Sequence, residues 1–467
     1  MIRTLIKNFI YAFGAQVVSL SASLAVTFIV PSLIGVSEFA YWQLFLTYVT
    51  YINISRLGLM DGLYLRLGGK KYEELNYDLL SQERRYFIGF QLLVAIGVLV
   101  SILTLNLEGD RTFVLLACCV CIVIINANNY LGYILQAVNL TRIYSVSIIL
   151  QNLTWFVAVF CILFVRIYSY KVIVVLYVIG HLCAGIYLMW NAREIIKHRR
   201  FNRKAVFQDI KENVRCGIKL MVAAYAGNLI IGSTRMIIDA SWGIEIFGFF
   251  SFSLTLANVF LTFVQQVSIV VFPALRRVEK ERQKDAYYLL RNILSLVLPI
   301  VMLGYFPITI IVHYLMPQYE QSLFYLPIFL PICTFDGKMQ MVCSSFFESM
   351  RKESTLLLIN LITLASSIFM TVLGAVVVDS IEFVAYGLLV IVAMRSIISE
   401  YILSRFMSVS IKKELIQEIG IVLAFIIFSR HLSSQYMFIV FGLIYAVYII
   451  GNKDRIRKVV KVCKFFK

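Results

Sequence analysis

Apolar residues run in long blocks along this chain, and polar ones gather in short clusters between them. From Phe9 to Leu59 nearly every side chain is apolar or small. Then "LGLMDGLYLRLGGKKYEELNYD", residues 57 to 78, brings an acid, paired glycines and a run of mixed charge. The alternation continues to the C-terminus. A helix needs about 20 mostly apolar residues to cross the hydrocarbon of a bilayer. Blocks of that kind fall near 9–30, 39–60, 86–106, 112–137, 144–165, 172–192, 215–238, 245–272, 291–315, 323–350, 354–378, 383–405, 415–429 and 435–451. The last two are short, and as a re-entrant hairpin they would still leave both termini on one side. Barrel strands would read as alternating segments of roughly ten residues, which these are not. In lipid an isolated segment satisfies its backbone hydrogen bonds only as a helix. The pattern therefore predicts an all-α polytopic membrane protein with about 14 transmembrane helices.

Composition agrees. Of 467 residues, 60% are hydrophobic and 15% charged, against roughly 25% charged in soluble domains. A water-soluble fold has no room to hide so much apolar surface.

The sign of the charge sets the orientation. With the N-terminus inside, only four of the 43 Lys and Arg fall on outer loops: Arg111, Arg166, Lys171 and Arg430. Five more lie within spans, and the rest are on inner loops, tails and helix ends. Basic residues beside spans are retained in the cytoplasm, so both termini and the 61–85 loop are expected there. This predicts a multi-pass membrane protein with both termini on the cytoplasmic side. The formal +17 charge then reflects topology and attraction to anionic headgroups; no nucleic-acid partner is called for. Arg3, Lys7 and the small residues "SAS" at 21–23 imitate a signal peptide. The apolar run continues past them, and an uncleaved first span is expected.

No soluble domain separates the spans. The basic stretch "NAREIIKHRRFNRKAVFQDIKENVR" divides six spans from six. The chain thus reads as a six-helix lobe over 1–192, a cytoplasmic linker over 193–214, a second lobe over 215–405, and a final pair with a basic tail over 406–467. Internal likeness supports a duplication. "GLYLRLGGKKYEELNYDLLSQERRYFIGF" after span 2 answers "FPALRRVEKERQKDAYYLLRNILSL" after span 8, and "ILQAVNLTRIYS" after span 4 answers "FFESMRKESTLL" after span 10. Repeated lobes with a site near mid-membrane are a recurring transporter design.

The order of "GLMDGLYLR", "FPALRRVEKERQKDAYYLLRNILSLVLPI" and "ITIIVHYLMPQYEQSLFYLPIFLPI" resembles the polysaccharide flippases of the multidrug/oligosaccharidyl-lipid/polysaccharide exporter superfamily. The likeness covers essentially the whole chain, through degenerate motifs whose order and spacing carry it. It implies two pseudosymmetric bundles around a central cavity that opens alternately to each side. The implied cargo is an undecaprenyl-diphosphate-linked oligosaccharide, moved from the cytoplasmic to the outer leaflet. Implied partners are that lipid-linked oligosaccharide, membrane lipids and a polysaccharide polymerase with other assembly proteins.

Charges inside spans point to cargo independently, because a basic residue at the bilayer centre costs roughly 2.5–3.5 kcal/mol and so usually faces a cavity or partner. Lys338 and Arg395 lie near the middles of spans 10 and 12. Asp336 is the only acid placed well inside a span, and Arg235 sits toward the outer end of span 7 with Asp239 four residues on. Arg56 and Lys219 are near enough to inner ends to snorkel. Two readings stand for Arg235, Lys338 and Arg395: internal ion pairs, or a cationic cavity for phosphate or acidic sugar, which suits the planar guanidinium fork. Asn126 and Asn129, in "INANNY", either hydrogen-bond sugar hydroxyls or join helix to helix. Together Arg235, Asp336, Lys338, Arg395, Asn126 and Asn129 are the cavity candidates.

Other motifs are weaker. "CCVC" at 118–121 lies within a span, where Cys acts as a small hydrophobe. His181 and His313 are read as packing residues. There is no P-loop, no G-x-S-x-G and no pair of carboxylates on an outer loop, so no enzyme, metal site or cofactor is expected; a coupling ion, H+ or Na+, is left open. The rival functions are a cation-coupled multidrug or toxin antiporter and, in a different class, a membrane polysaccharide polymerase or ligase, for which the outer loops are too short.

Overall fold

The computed structural model describes residues 27–105, 109–165, 169–197, 203–277, 283–453, 455 and 457. Every regular element among them is helical. Nine of the described helices are long and apolar enough to cross a membrane. Each expected span from 39–60 onward has helix at its place. Most of the first, 9–30, lies outside the described residues, as do Arg3, Lys7, Arg166 and His198. Large apolar side chains point outward, with Phe164 86% and Trp190 78% exposed, the inverse of a protein solvated by water.

The chain divides into two compact units between Tyr225 and Ala226. In the first, α1 (Val36–Ile52), α2 (Leu59–Leu67), α3 (Tyr77–Leu105), α5 (Thr141–Val165) and α6 (Tyr170–Asn191) all pack on α4 (Gly109–Ala137). The next helix, α7, spans Arg203–Trp242 and carries the division near its middle. The 193–214 stretch is therefore largely helical: a turn at Arg193–Lys197, then the start of α7. Residues 203–216 contain neither Gly nor Pro and include Lys, Ala, Gln and Glu, all good helix formers, so helix propagates through them.

The polar stretch after span 2 has a packing role. Leu57 and Gly58 adopt left-handed backbone, at φ 51° and 78°, and turn the chain into α2. There α2 meets α7 at backbone distance. A Cβ on Gly62 would lie 1.9 Å from the Asn213 carbonyl oxygen, and one on Gly217 would lie 2.0 Å from that of Gly58. Gly58 and Gly62 form the small-xxx-small spacing that permits such an approach. Arg66 fastens the contact from one turn on, pairing with Asp209 at 2.8 Å and Glu212 at 2.9 Å.

In the second unit α8 (Ile244–Arg277), α9 (Gln283–Val297), α10 (Tyr305–Leu315), α13 (Ile381–Phe406) and α14 (Lys412–His431) surround α11 (Leu326–Lys338). The expected span 323–350 is not one helix. Pro331 sits inside α11, a π turn occupies Met339–Ser344, and helix resumes over Ser345–Ser349. Proline removes a backbone donor, and within lipid such interruptions persist where neighbouring helices enclose them. α12 (Glu353–Leu373) packs on α13, and Thr234 on α7 hydrogen-bonds with Ser367 and Thr371 on α12 at 3.2 and 3.1 Å. The final pair, α14 with α15 (Ser434–Gly451), is tied to this unit by Tyr445 and Tyr448, which donate to the carbonyls of Leu296 and Ser295.

The two units stop their fourth spans in the same way. After α4, Asn139 is left-handed at φ 63° and the Leu140 N–H closes on the Leu135 carbonyl at 2.8 Å. After Ser345–Ser349, Arg351 is left-handed at φ 55° and the Lys352 N–H closes on Phe347 at 2.7 Å. Both are Schellman-type ends. They fall at matching places in "ILQAVNLTRIYS" and "FFESMRKESTLL".

Candidate functional site

Lys338, at the last turn of α11, is 2% exposed. Its Nζ donates to Glu400 Oε2 at 2.8 Å and also to Glu418 Oε2. Arg291 donates from Nε to the other Glu400 oxygen, and its Nη1 lies 3.8 Å from Glu414. One turn of α13 away, Arg395 donates to Asn360 Oδ1 at 2.9 Å and to Asp336 Oδ1 at 3.3 Å. Asp336 also accepts from Gln340 at 2.7 Å.

This corrects one expectation. Asp336 is not the sole buried acid facing two bases: Glu400 and Glu418 are each 1% exposed, and α13 and α14 deliver them to Lys338. Three bases meet three acids, with Glu414 at the edge, so the cluster holds no surplus of positive charge. The cause is tertiary. Glu400 lies toward the end of span 12 and Glu418 on the short span 13, and only packing turns both onto α11. Arg235 is held differently, by a hydrogen bond to Ser251 at 3.1 Å and a guanidinium seat 5.2 Å from the Phe247 ring centroid.

The first unit builds its polar centre from amides. Asn126 Nδ2 donates to Gln91 Oε1 at 2.8 Å and Ser55 Oγ at 3.1 Å. Asn129 donates to Asn53 Oδ1 at 3.1 Å. Asn53, Ser55 and Arg56 share the short 3-10 turn that ends α1. Both asparagines are thus engaged in joining helices, while the Asn126 Oδ1 atom makes no hydrogen bond among the described residues.

Arg56 is the residue that sequence reading undervalued. It does not reach outward; it is 6% exposed. It donates to Tyr225 Oη at 2.7 Å and the Asn53 carbonyl at 3.1 Å, and lies 5.3 Å from the Tyr133 ring centroid. These partners are all neutral, and no carboxylate lies within ion-pair distance of it among the described residues. Lys219, the other residue placed near an inner span end, is exposed. Burial pushes the Asp61 carboxyl, five residues on, above its usual range, against the pull of Arg56. A signal was present: Arg56 stands among Asn53 and Ser55, polar company that a snorkelling residue does not need.

Arg56 also forms one wall of a cavity of about 790 Å³ in the first unit. Gln82, Arg85, Tyr86 and Phe90 of α3 and Phe207 of α7 form others. His181 is packed, 3.0 Å from Gln151 Nε2 and against Tyr177. His313 pairs with Glu320 at 3.3 Å on the surface.

The sequence matches no family model and no curated relative. Solved structures share the fold. The lipid II flippase MurJ in an inward closed conformation superposes with a TM-score of 0.62 at 15% identity, covering 97% of this chain and 100% of that one. An inward-facing multidrug resistance MATE family transporter of the MOP superfamily gives 0.60 at 11%, covering 84% and 94%. A MOP superfamily transporter from Pyrococcus furiosus, described as having a binding pocket of reversed polarity, gives 0.57 at 12%, covering 87% and 95%.

Proposed function

We propose that this chain flips an undecaprenyl-diphosphate-linked oligosaccharide from the cytoplasmic to the outer leaflet by alternating access, for surface polysaccharide assembly. The observation that carries this reading is Arg56, a guanidinium closed off from solvent and held by neutral partners. A buried charge with no carboxylate at ion-pair distance is costly, and such residues inside membranes mark substrate paths. An anionic cargo supplies a counter-charge in direct contact, with phosphate oxygens taking the place of Tyr225 and the Asn53 carbonyl. The lipid flippase, matched over its whole length, has a counterpart for the final helix pair as well.

In this proposal Arg56, Asn126 and Asn129 meet the polar end of the cargo in the first lobe. Lys338, Asp336, Arg395 and Arg235 brace the second lobe and lend polarity to its cavity side. The antiporter is the rival reading. Its best foothold is the acidic set Glu400, Glu414 and Glu418, and there each acid faces a base.

Deletion of the gene tests the proposal. Lipid-linked repeat units should accumulate on the cytoplasmic side and clear on complementation. Units that reach the outer leaflet normally and merely stay unpolymerised would overturn it.

A further inference from the structure

Glu83, near the start of α3, is 0% exposed. It belongs to the polar 61–85 stretch, ahead of the apolar block at 86–106. Among the described residues no Lys, Arg or His stands within ion-pair distance of it, and its hydrogen-bond partners are neutral. From α7, Asn213 Nδ2 donates to Glu83 Oε1 at 2.8 Å and to Asp209 Oδ2 at 3.2 Å, while Asn213 Oδ1 accepts from Arg66. Both hydrogens of that amide are therefore used. On the other side, Tyr130 Oη of α4 lies 3.0 Å from the Leu80 carbonyl and 3.2 Å from Glu83 Oε2. A phenol has a single hydrogen, so it satisfies one of these oxygens and not both. An ionised Glu83 brings no hydrogen of its own. One oxygen pair is then left without a hydrogen in a place closed to water, since Tyr130 and Asn213 are also 0% exposed. Low dielectric makes such a defect costly.

We propose that Glu83 is a proton-binding site between α3, α4 and α7, occupied in the native state by a proton on Oε2. The chain then closes: Glu83 Oε2–H donates to Tyr130 Oη, and Tyr130 Oη–H donates to the Leu80 carbonyl. Binding takes the proton from water and release returns it there. Release leaves a carboxylate buried without a counter-charge, which is costly, and sets it against Asp209 across the shared Asn213 amide. Burial first, and Asp209 with it, push the Glu83 carboxyl up to about 7, against the Asn213 and Tyr130 hydrogen bonds and the more distant Arg66. Arg84, next along α3, acts on Tyr130. On the short turn that also packs on α3, Arg193 lies 3.5 Å from Glu194, and Lys197 is exposed. Asn213 also presents its backbone to Gly62, so the tie between α3 and α7 weakens as the proton leaves. With the termini inward, the pH sensed is that of the cytoplasm. Neither Arg56 nor the Lys338 cluster takes part, and the site stands or falls apart from the cargo reading.

The experiment is thermal unfolding and infrared difference spectroscopy of the full chain in detergent, from about pH 5 to about pH 8. A group whose native pKa stands above its unfolded value gives stability that is present at low pH and lost as pH rises through the native value. Glu83→Gln keeps the shape, stays neutral at every pH and can still donate to Tyr130, so it should fold. It should melt with wild type near pH 5 and above wild type near pH 8, the gap opening by about pH 7. A protonated-carboxyl band should titrate away from wild type with its midpoint near pH 7, and Glu83→Gln should lack that band. Asp209→Asn should move the midpoint to lower pH, because a like charge has gone. A Glu83→Gln that melts below wild type by the same amount at every pH, or whose infrared spectrum near pH 6 lacks no band, overturns the proposal.

Discussion

Lys338 Nζ lies 2.8 Å from Glu400 Oε2, with both side chains almost wholly enclosed. Glu418 reaches the same ammonium from a different helix. A single lysine thereby fastens α13 and α14 to α11.

Loss of that lysine should act on stability before it acts on transport. Lys338→Ala leaves two buried carboxylates facing each other, a change of about 3–5 kcal/mol for a broken buried pair. Membrane abundance and the detergent melting temperature should both fall. Adding Glu400→Gln should recover part of the loss. A normal melting curve for Lys338→Ala would remove the lysine from this structural role.

Arg56 should show the opposite split. Replacing a buried charge by an apolar side chain of similar length is often neutral for stability, so Arg56→Met should reach the membrane at near-normal levels. Polysaccharide export should drop at least about tenfold if the residue meets cargo phosphate. Arg56→Lys should retain intermediate export, since charge survives and the fork does not. Full export from Arg56→Met sinks the cargo role.

At Arg395 the two contacts separate by substitution. Lysine keeps the charge opposite Asp336 but cannot also satisfy Asn360 as guanidinium does, so Arg395→Lys should be milder than Arg395→Ala. Arg395→Glu should be the worst of the three, placing like charges together beside Asp336. Export at matched abundance ranks them; a harmless glutamate would contradict the arrangement.

Gly62→Ala probes the α2–α7 contact. The new Cβ would fall 1.9 Å from a backbone oxygen, a neighbour that cannot swing aside. Overpacking of this kind costs about 1–3 kcal/mol, visible as a lower melting temperature. Gly69→Ala, where nothing lies within 4 Å but the backbone is left-handed at φ 90°, should lose less, through strain alone.

Orientation is open to direct measurement. Reporters active only outside the cytoplasm, fused after Arg200 and at the C-terminus, should stay silent. Activity at either place would overturn the inward termini.

The helices were legible because each is announced by a run of apolar residues long enough to cross lipid, and nothing but helix satisfies a lone backbone there. What could not be read was which polar residues meet. Glu400 and Lys338 lie in spans far apart in sequence, and Glu418 comes from the segment that looked least secure. Their pairing is decided by how α13 and α14 turn on α11. Arg56 was misjudged for a related reason: nearness to a span end licenses snorkelling but does not compel it. "GLMDGLYLR" was noticed as a motif, while its work, two glycines admitting a second backbone, depends on Asn213 and Gly217 about 150 positions later.

Counted back along the sequence by the same number of residues from the matching helix ends at Asn139 and Arg351, the chain reaches Asn126 in one half and Lys338 in the other. The first is a neutral amide and the second an enclosed ammonium. The halves differ in chemistry here and in backbone too, since α4 is unbroken while its counterpart carries Pro331 and a π turn. A half welded by ion pairs resists change at its centre, because each new residue must answer several charges at once. A half joined by amides tolerates substitution one residue at a time. Adaptation to a new cargo would begin in the first half, and variation among natural descendants of this protein should be densest around Asn126 and Asn129 and sparsest around Lys338.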